Sequence, residues 1–290
     1  MDIKKRMVLG VALTMLLGAL PLSGCSAGTT AGGDTSELEG TIDIQGSDTL
    51  LNVATAWSEI FMDENPGVDI SVQGGGSGTG IAALLNGTVD FAIASRDMKD
   101  EERTEAEAQG IDPVEHKVAL DAIAVIVNPD NGVDELTMAQ LGEIFRGEKA
   151  NWKDFGGKDL QIVLVSRDSS SGTYDYFREE VVAAEDEDAE FAQSAKLLPS
   201  NQAISDEVKA NQGAIGYVGL GYVTDAVKVV TVDGVKASVE TATENSYPIS
   251  RYLYIYSNGE PQGVMATYLE WILGEEGQQL VADEGFVPLP

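Results

Sequence analysis

The chain has 290 residues, 43% of them hydrophobic, with 48 acidic against 18 basic side chains for a formal net charge of −30. That balance excludes a general nucleic-acid surface, which needs a basic face to neutralise phosphates. A single cysteine excludes an intrachain disulfide, so the fold must rest on its apolar core.

The N-terminus carries Lys4, Lys5 and Arg6, an apolar stretch over residues 7–20, and then Leu22-Ser23-Gly24-Cys25. A positive region followed by a short apolar run and small residues describes an export signal over residues 1–24. The run is shorter than the roughly 20 residues that cross a bilayer. The cysteine directly after small residues resembles a bacterial lipoprotein signal. Cys25 would then be lipidated, holding the protein to the cell membrane on its extracellular or periplasmic side. An ordinary secretory signal with an incidental cysteine is the alternative. Residues 25–40, rich in Gly, Ser, Thr and Ala, read as a flexible tether. Removing residues 1–24 takes away Asp2 and the bases Lys4, Lys5 and Arg6, which leaves −32.

Beyond residue 41 strands and helices alternate. Residues 41–45 read as a strand, 49–64 as a helix with Val53, Ala56, Trp57, Ile60 and Phe61 inward, and 68–72 as a strand. A helix over 78–86, a strand over 91–94 and a charged helix over 100–109 follow. Residues 118–127 form a long apolar strand closed by the turn Asn128-Pro129-Asp130-Asn131-Gly132. A second series has a helix at 138–145, a strand at 161–165, a helix from Ser171, a helix at 204–211 and a strand at 214–218. The chain closes with a strand at 252–256 and a helix at 263–274 that turns Met265, Leu269 and Ile272 inward. Continuous apolar strands between helices predict an α/β fold whose mostly parallel sheets are covered on both faces. The simplest arrangement is two lobes, residues 41–118 with 252–290 and residues 119–251, with a ligand cleft between them. The acidic run 179–190 reads as a solvated face, since it lacks the glycine and spacing of a calcium loop.

Chemistry concentrates at three strand-to-helix turns. The first is Gly46-Ser47-Asp48-Thr49-Leu50, the second the glycine-rich turn with Ser77 and Thr79, and the third Arg167-Asp168-Ser169-Ser170-Ser171-Gly172-Thr173. A helix N-terminus presents unpaired N–H groups and a positive dipole end. Hydroxyls add donors, glycine lets backbone approach closely, and arginine supplies a planar charged fork suited to a tetrahedral oxyanion. Ordinary helix capping explains one such turn; three in one chain point to an anion site. In open α/β sheets ligands sit beyond the carboxyl ends of the strands, where all three turns fall.

No enzyme chemistry emerges. The single histidine, His116, lies between Glu115 and Lys117 and reads as structural or exposed rather than as a general base. No spacing fits a zinc or two-metal site, and no Gly-Lys-Ser/Thr phosphate loop occurs. Neither a metal nor a cofactor is expected.

Over residues 41–290 the chain resembles the phosphate-binding components of phosphate ABC transporters, which are type II periplasmic binding proteins. The resemblance rests on Gly46-Ser47-Asp48-Thr49, Gly75-Gly76-Ser77-Gly78-Thr79-Gly80-Ile81, residues 86–96 ending in Ala94-Ser95-Arg96, Arg167 through Thr173, Gly213-Ala214-Ile215-Gly216-Tyr217 and Tyr247-Pro248-Ile249-Ser250-Arg251. It implies that phosphate is captured outside the membrane and delivered to a permease and ATPase. The ligand set it implies is Ser47, Thr49, the N–H of Leu50, Ser77, Ser95 and Arg96 from one lobe. The other lobe gives Arg167, Ser171, Gly172 and Thr173. Arg96 stands where familiar members carry an aspartate that accepts the proton of hydrogen phosphate, which leaves Asp97, Asp48 and Asp168 as candidate acceptors. Other tetrahedral oxyanions (sulfate, molybdate, tungstate) and a phosphate sensor or adhesin are the alternatives.

Overall fold

The computed structural model describes residues 38–289; residues 1–24, read as an export signal, and Cys25 lie outside it, and of the expected tether only 38–40 is described, with Glu39 and Gly40 already part of a strand. The described residues belong to one compact unit. Its first half runs β1 (Glu39–Gly46), α1 (Leu51–Glu64), β2 (Gly67–Gln73), α2 (Ser77–Leu85), β3 (Phe91–Ala94) and α3 (Asp100–Gln109). The long strand β4 (Pro113–Val127) follows, then β5 (Glu135–Leu136), α4 (Met138–Phe145), β6 (Val163–Arg167) and α5 (Gly172–Phe177). β7 (Lys196–Leu198), α6 (Asn201–Ala210), β8 (Ala214–Gly219), β9 (Lys228–Val229), β10 (Thr231–Val232) and α7 (Val239–Thr243) come next. The strand β11 (Ser250–Asn258) and the helices α8 (Val264–Leu273) and α9 (Glu275–Asp283) close the chain.

Eight strands pair in the order β2-β1-β3-β11-β4-β8-β6-β7, with β9 added beside β4. Pairing is parallel at both ends of this path, β2·β1·β3 and β8·β6·β7, as continuous apolar strands separated by helices require. In the middle β3·β11, β11·β4 and β4·β8 are antiparallel, so the fold is α/β with mixed rather than purely parallel sheets. The apolar interior is divided. One cluster holds Ala122–Val127 of β4 with Leu141, Phe145, Phe177, Ile204 and Tyr217. A second holds Ile42, Val53, Trp57 and Phe61 with Val118 and Ala119 of β4 and Leu253 and Ile255 of β11. Strand β4 therefore passes from one core to the other at Leu120 and Asp121.

Several local expectations shift. Helix α1 begins at Leu51 because Ser47–Leu50 form a hydrogen-bonded turn, with Leu50 N–H donating to the Ser47 carbonyl at 3.2 Å. Ile60 is 39% exposed instead of inward, since Trp57 and Phe61 already fill that face. His116 lies inside β4, half-buried, with Nε2 3.0 Å from Ser257 Oγ. The acidic side chains of the run 179–190 are exposed, and Glu185 reaches Arg146 and Glu190 reaches Arg178, but Val181 and Val182 within it are buried in the core. The helix α9, which follows α8 directly across Gly274, was not foreseen.

Candidate anion-binding site

The sheet order brings the carboxyl ends of β1, β2, β3 and β6 together, and their hydroxyl turns meet. Thr49 Oγ1 lies 2.9 Å from Thr173 Oγ1, which lies 3.5 Å from Ser95 Oγ. Ser77 Oγ is 3.3 Å from Ser95 Oγ and accepts the Ser95 N–H at 3.0 Å. Ser47, Thr49, Ser77, Ser95, Ser171 and Thr173 are all buried. A cluster of hydroxyls from segments far apart in sequence is not a capping pattern, because capping is local.

Each hydroxyl has a local reason for its place. Ser171 caps α5, its Oγ accepting Thr173 N–H at 3.2 Å and Tyr174 N–H at 3.4 Å, which leaves its own O–H free to donate. Ser47 Oγ accepts the Thr49 N–H at 3.2 Å and so sets the turn before α1. Gly172 is required by close approach, for a Cβ there would collide with Ser77 Oγ. Gly76 is excluded from carrying a side chain by the Ser170 carbonyl, and Gly78 N–H donates to that same carbonyl at 3.1 Å.

Arg167 ends β6 at 1% exposure, with Nη2 2.9 Å from the Pro199 carbonyl and 3.3 Å from Asp48 Oδ2. Its Nε and Nη1 are buried without a hydrogen-bond partner. Burial pulls its pKa below the usual guanidinium range, and Asp48 offsets this in part. A buried charge with idle donors is costly, and an anion at this point would satisfy it. Asp48 is held by Asn201, whose N–H and Nδ2 donate to Oδ2 at 3.0 and 3.1 Å.

Leu50 buries its side chain in the second core and commits its N–H to the turn. Arg96 is drawn away from the hydroxyls. Its guanidinium takes Glu102 through Nη1 at 2.8 Å and Nη2 at 2.7 Å, and its Nε donates to Asp175 at 2.8 Å. It is a buried ion pair between β3 and α5, not a donor facing the cluster. Asp97 is exposed on a surface groove of about 770 Å³ shared with Lys99, Tyr176 and Tyr254. Asp48 and Asp168 are both half-buried, and of the three candidate carboxylates Asp48 is the one that pairs with Arg167. Sequence reasoning missed Asn201, Asp121 and the role of Arg251. No local signal marks them, although Arg251 stands in a quoted motif. Among the described residues no group of acidic, histidine or cysteine side chains could hold a metal ion.

The description "PBP superfamily domain" matches residues 27–276. The phosphate-binding protein PstS of Bacillus subtilis is 36% identical over 252 residues, covering 86% of this chain and 81% of that one. PstS of Pseudomonas aeruginosa is 35% identical over 278 residues, covering 88% and 85%. This chain belongs to the PstS family. Among solved structures, a putative phosphate ABC transporter substrate-binding protein from Clostridium perfringens with bound phosphate superposes with a TM-score of 0.80 at 34% identity. The match covers 87% of this chain and all of the other. An ABC-type phosphate transport receptor from Vibrio cholerae gives 0.72 at 26% identity. PstS-family membership makes this a solute-binding protein rather than an enzyme.

Proposed function

We propose that this chain captures inorganic phosphate outside the cell membrane and delivers it to the permease and ATPase of an ABC transporter. The observation that carries this reading is the buried Arg167, with two idle donors beside a cluster of hydroxyls. Thr49, Ser77, Ser171 and Thr173 donate to phosphate oxygens with the N–H of Gly172, while Ser47 and Ser95 hold these groups in place. Hydrogen phosphate also carries a proton, which needs an acceptor. Asp48 supplies it, the carboxylate nearest Arg167. A fully deprotonated sulfate would instead meet that carboxylate as like charge. The two-lobe division at residues 41–118 with 252–290 and residues 119–251 belongs to the same proposal, supported by the separate apolar clusters. Phosphate bridging both lobes favours the closed form. Attachment through lipid on Cys25 is supported by the sequence pattern alone.

Calorimetric titration of the anion-stripped protein with phosphate, sulfate and molybdate, near neutrality and in mild acid, tests this. Tight phosphate binding with little sulfate binding is expected. Preferred binding of sulfate or molybdate would reassign the cargo and remove Asp48 as acceptor.

A further inference from the structure

A second buried guanidinium reaches the hydroxyl cluster. Arg251 on β11 is 5% exposed, and it stands directly opposite Asp121 of β4 in the antiparallel register. Its Nε and Nη2 donate to Asp121 Oδ2 at 3.3 and 2.9 Å. Nη1 donates to the Ser95 carbonyl at 2.6 Å, and Nη2 also donates to Thr173 Oγ1 at 2.9 Å. Asp121 is completely buried, and its other oxygen accepts the Leu220 N–H at 2.9 Å. The pair thus sits where β4 leaves one core for the other, and it touches the end of β3 and the start of α5 at once.

The consequence is a direction imposed on a proton. A guanidinium only donates, so Thr173 Oγ1 must accept from Arg251. A hydroxyl has one proton, and that of Thr173 is therefore turned toward Thr49, Ser95 or an anion among them. Thr49 is treated alike. Asn201 Oδ1 accepts the Gly219 N–H at 3.2 Å, which fixes Nδ2 toward Asp48 and toward Thr49 Oγ1 at 3.5 Å. Thr49 and Thr173 lie 2.9 Å apart, so one donates to the other until an oxyanion takes that proton; with Arg251 and Asn201 already on their acceptor sides, only a hydroxyl rotation separates them from donating to it.

Resting on the phosphate reading above, we infer that Arg251 is a positioning residue for anion capture. Held by Asp121, it acts through Thr173, keeping that hydroxyl a donor and tying it to Ser95 across the two halves of the fold. Lysine cannot replace it, because a single ammonium cannot serve Asp121, the Ser95 carbonyl and Thr173 in this fork.

The test is a double-mutant cycle on phosphate affinity with Arg251→Lys, Thr173→Val and both together. Arg251→Lys keeps the charge beside Asp121, and circular dichroism with thermal melting checks the fold. Should it not fold, Arg251→Gln with Asp121→Asn, which neutralises the pair together, replaces it in the same cycle. Losing one charge-assisted arrangement predicts that Arg251→Lys weakens phosphate binding by about tenfold in the parent. In the Thr173→Val background the same change should have less than about twofold effect, because coupled residues are non-additive. A residue that merely supports the fold would cost the same factor in both backgrounds, and that result, or unchanged affinity in the parent background, overturns the inference alone. A parent protein that binds no phosphate overturns the functional reading and this inference with it.

Discussion

Replacing Arg167 by methionine isolates the group on which the anion reading stands. Its Nε and Nη1 have no partner at 1% exposure, so an anion at this point gains two charge-assisted hydrogen bonds. At about 1.5–3 kcal/mol each, these contribute about 3–6 kcal/mol. With tenfold per 1.4 kcal/mol, the loss on Arg167→Met is about 10²- to 10⁴-fold in affinity. Asp48 pushes the result toward the upper end, because it loses its cation and then faces the anion as like charge. Thermal melting with and without phosphate gives a second readout. At a phosphate concentration about 100 times the parent dissociation constant, the parent gains about 2.7 kcal/mol, and a variant binding about 100-fold more weakly gains about 0.4 kcal/mol. For a protein of this size that separates a rise of roughly 5–10 °C from one near 1 °C. The ligand-free variant should melt near the parent, since the lost Asp48 pair is offset by removal of two idle buried donors. Calorimetric affinity within about threefold of the parent, or an undiminished phosphate-induced rise, would refute the reasoning.

Asp48→Asn should weaken hydrogen phosphate binding and admit sulfate, eroding a discrimination that a hydroxyl-reading site can raise to about 10⁴–10⁵; competition calorimetry reads the ratio, and an unchanged ratio places the acceptor elsewhere. Asp175→Asn leaves Arg96 with Glu102 but removes the charge linking β3 to α5. We expect faster phosphate release in stopped-flow measurements, and unaltered release would show that this pair does not hold the two halves together. His116→Gln leaves phosphate affinity intact, as His116 is remote from the hydroxyls, and affinity loss would bring it into the site. Burial lowers the His116 pKa below its ordinary value near 6.5, with Glu260 and Glu115 opposing. The unfolded chain therefore takes up the proton first on acidification, so this residue's share of stability is present above about pH 6.5 and is lost as pH falls toward the lower folded-state value. Chemical denaturation across that range should show a shallower acid loss in His116→Gln.

Local chemistry was legible in the residues themselves. Strand β3 and helices α3 and α4 emerge with the bounds their patterning implies, because an apolar run or a capped amphipathic segment needs no distant partner to declare itself. The three hydroxyl turns were legible for the same reason, since Ser171 caps the helix that its own position begins. Arg167 was legible because it terminates an apolar strand beside those hydroxyls. Arg96 was not. Its place next to Ser95 suggested a ligand, yet Glu102 six residues onward, the Asp97 carbonyl and Asp175 from α5 take up its guanidinium, and the last of these is 79 residues away.

Sequence patterning alone determined most of the strands and helices and where the hydroxyl donors cluster, but not α7, α9 or the short strands β5, β7, β9 and β10. Tertiary structure alone decided which hydroxyls meet, which carboxylate faces Arg167, and that Arg251 joins the site from 78 residues beyond Thr173 and 156 beyond Ser95. Those contacts depend on strand order and on the register that sets Arg251 against Asp121, which are settled by burying three apolar clusters at once rather than by any local preference.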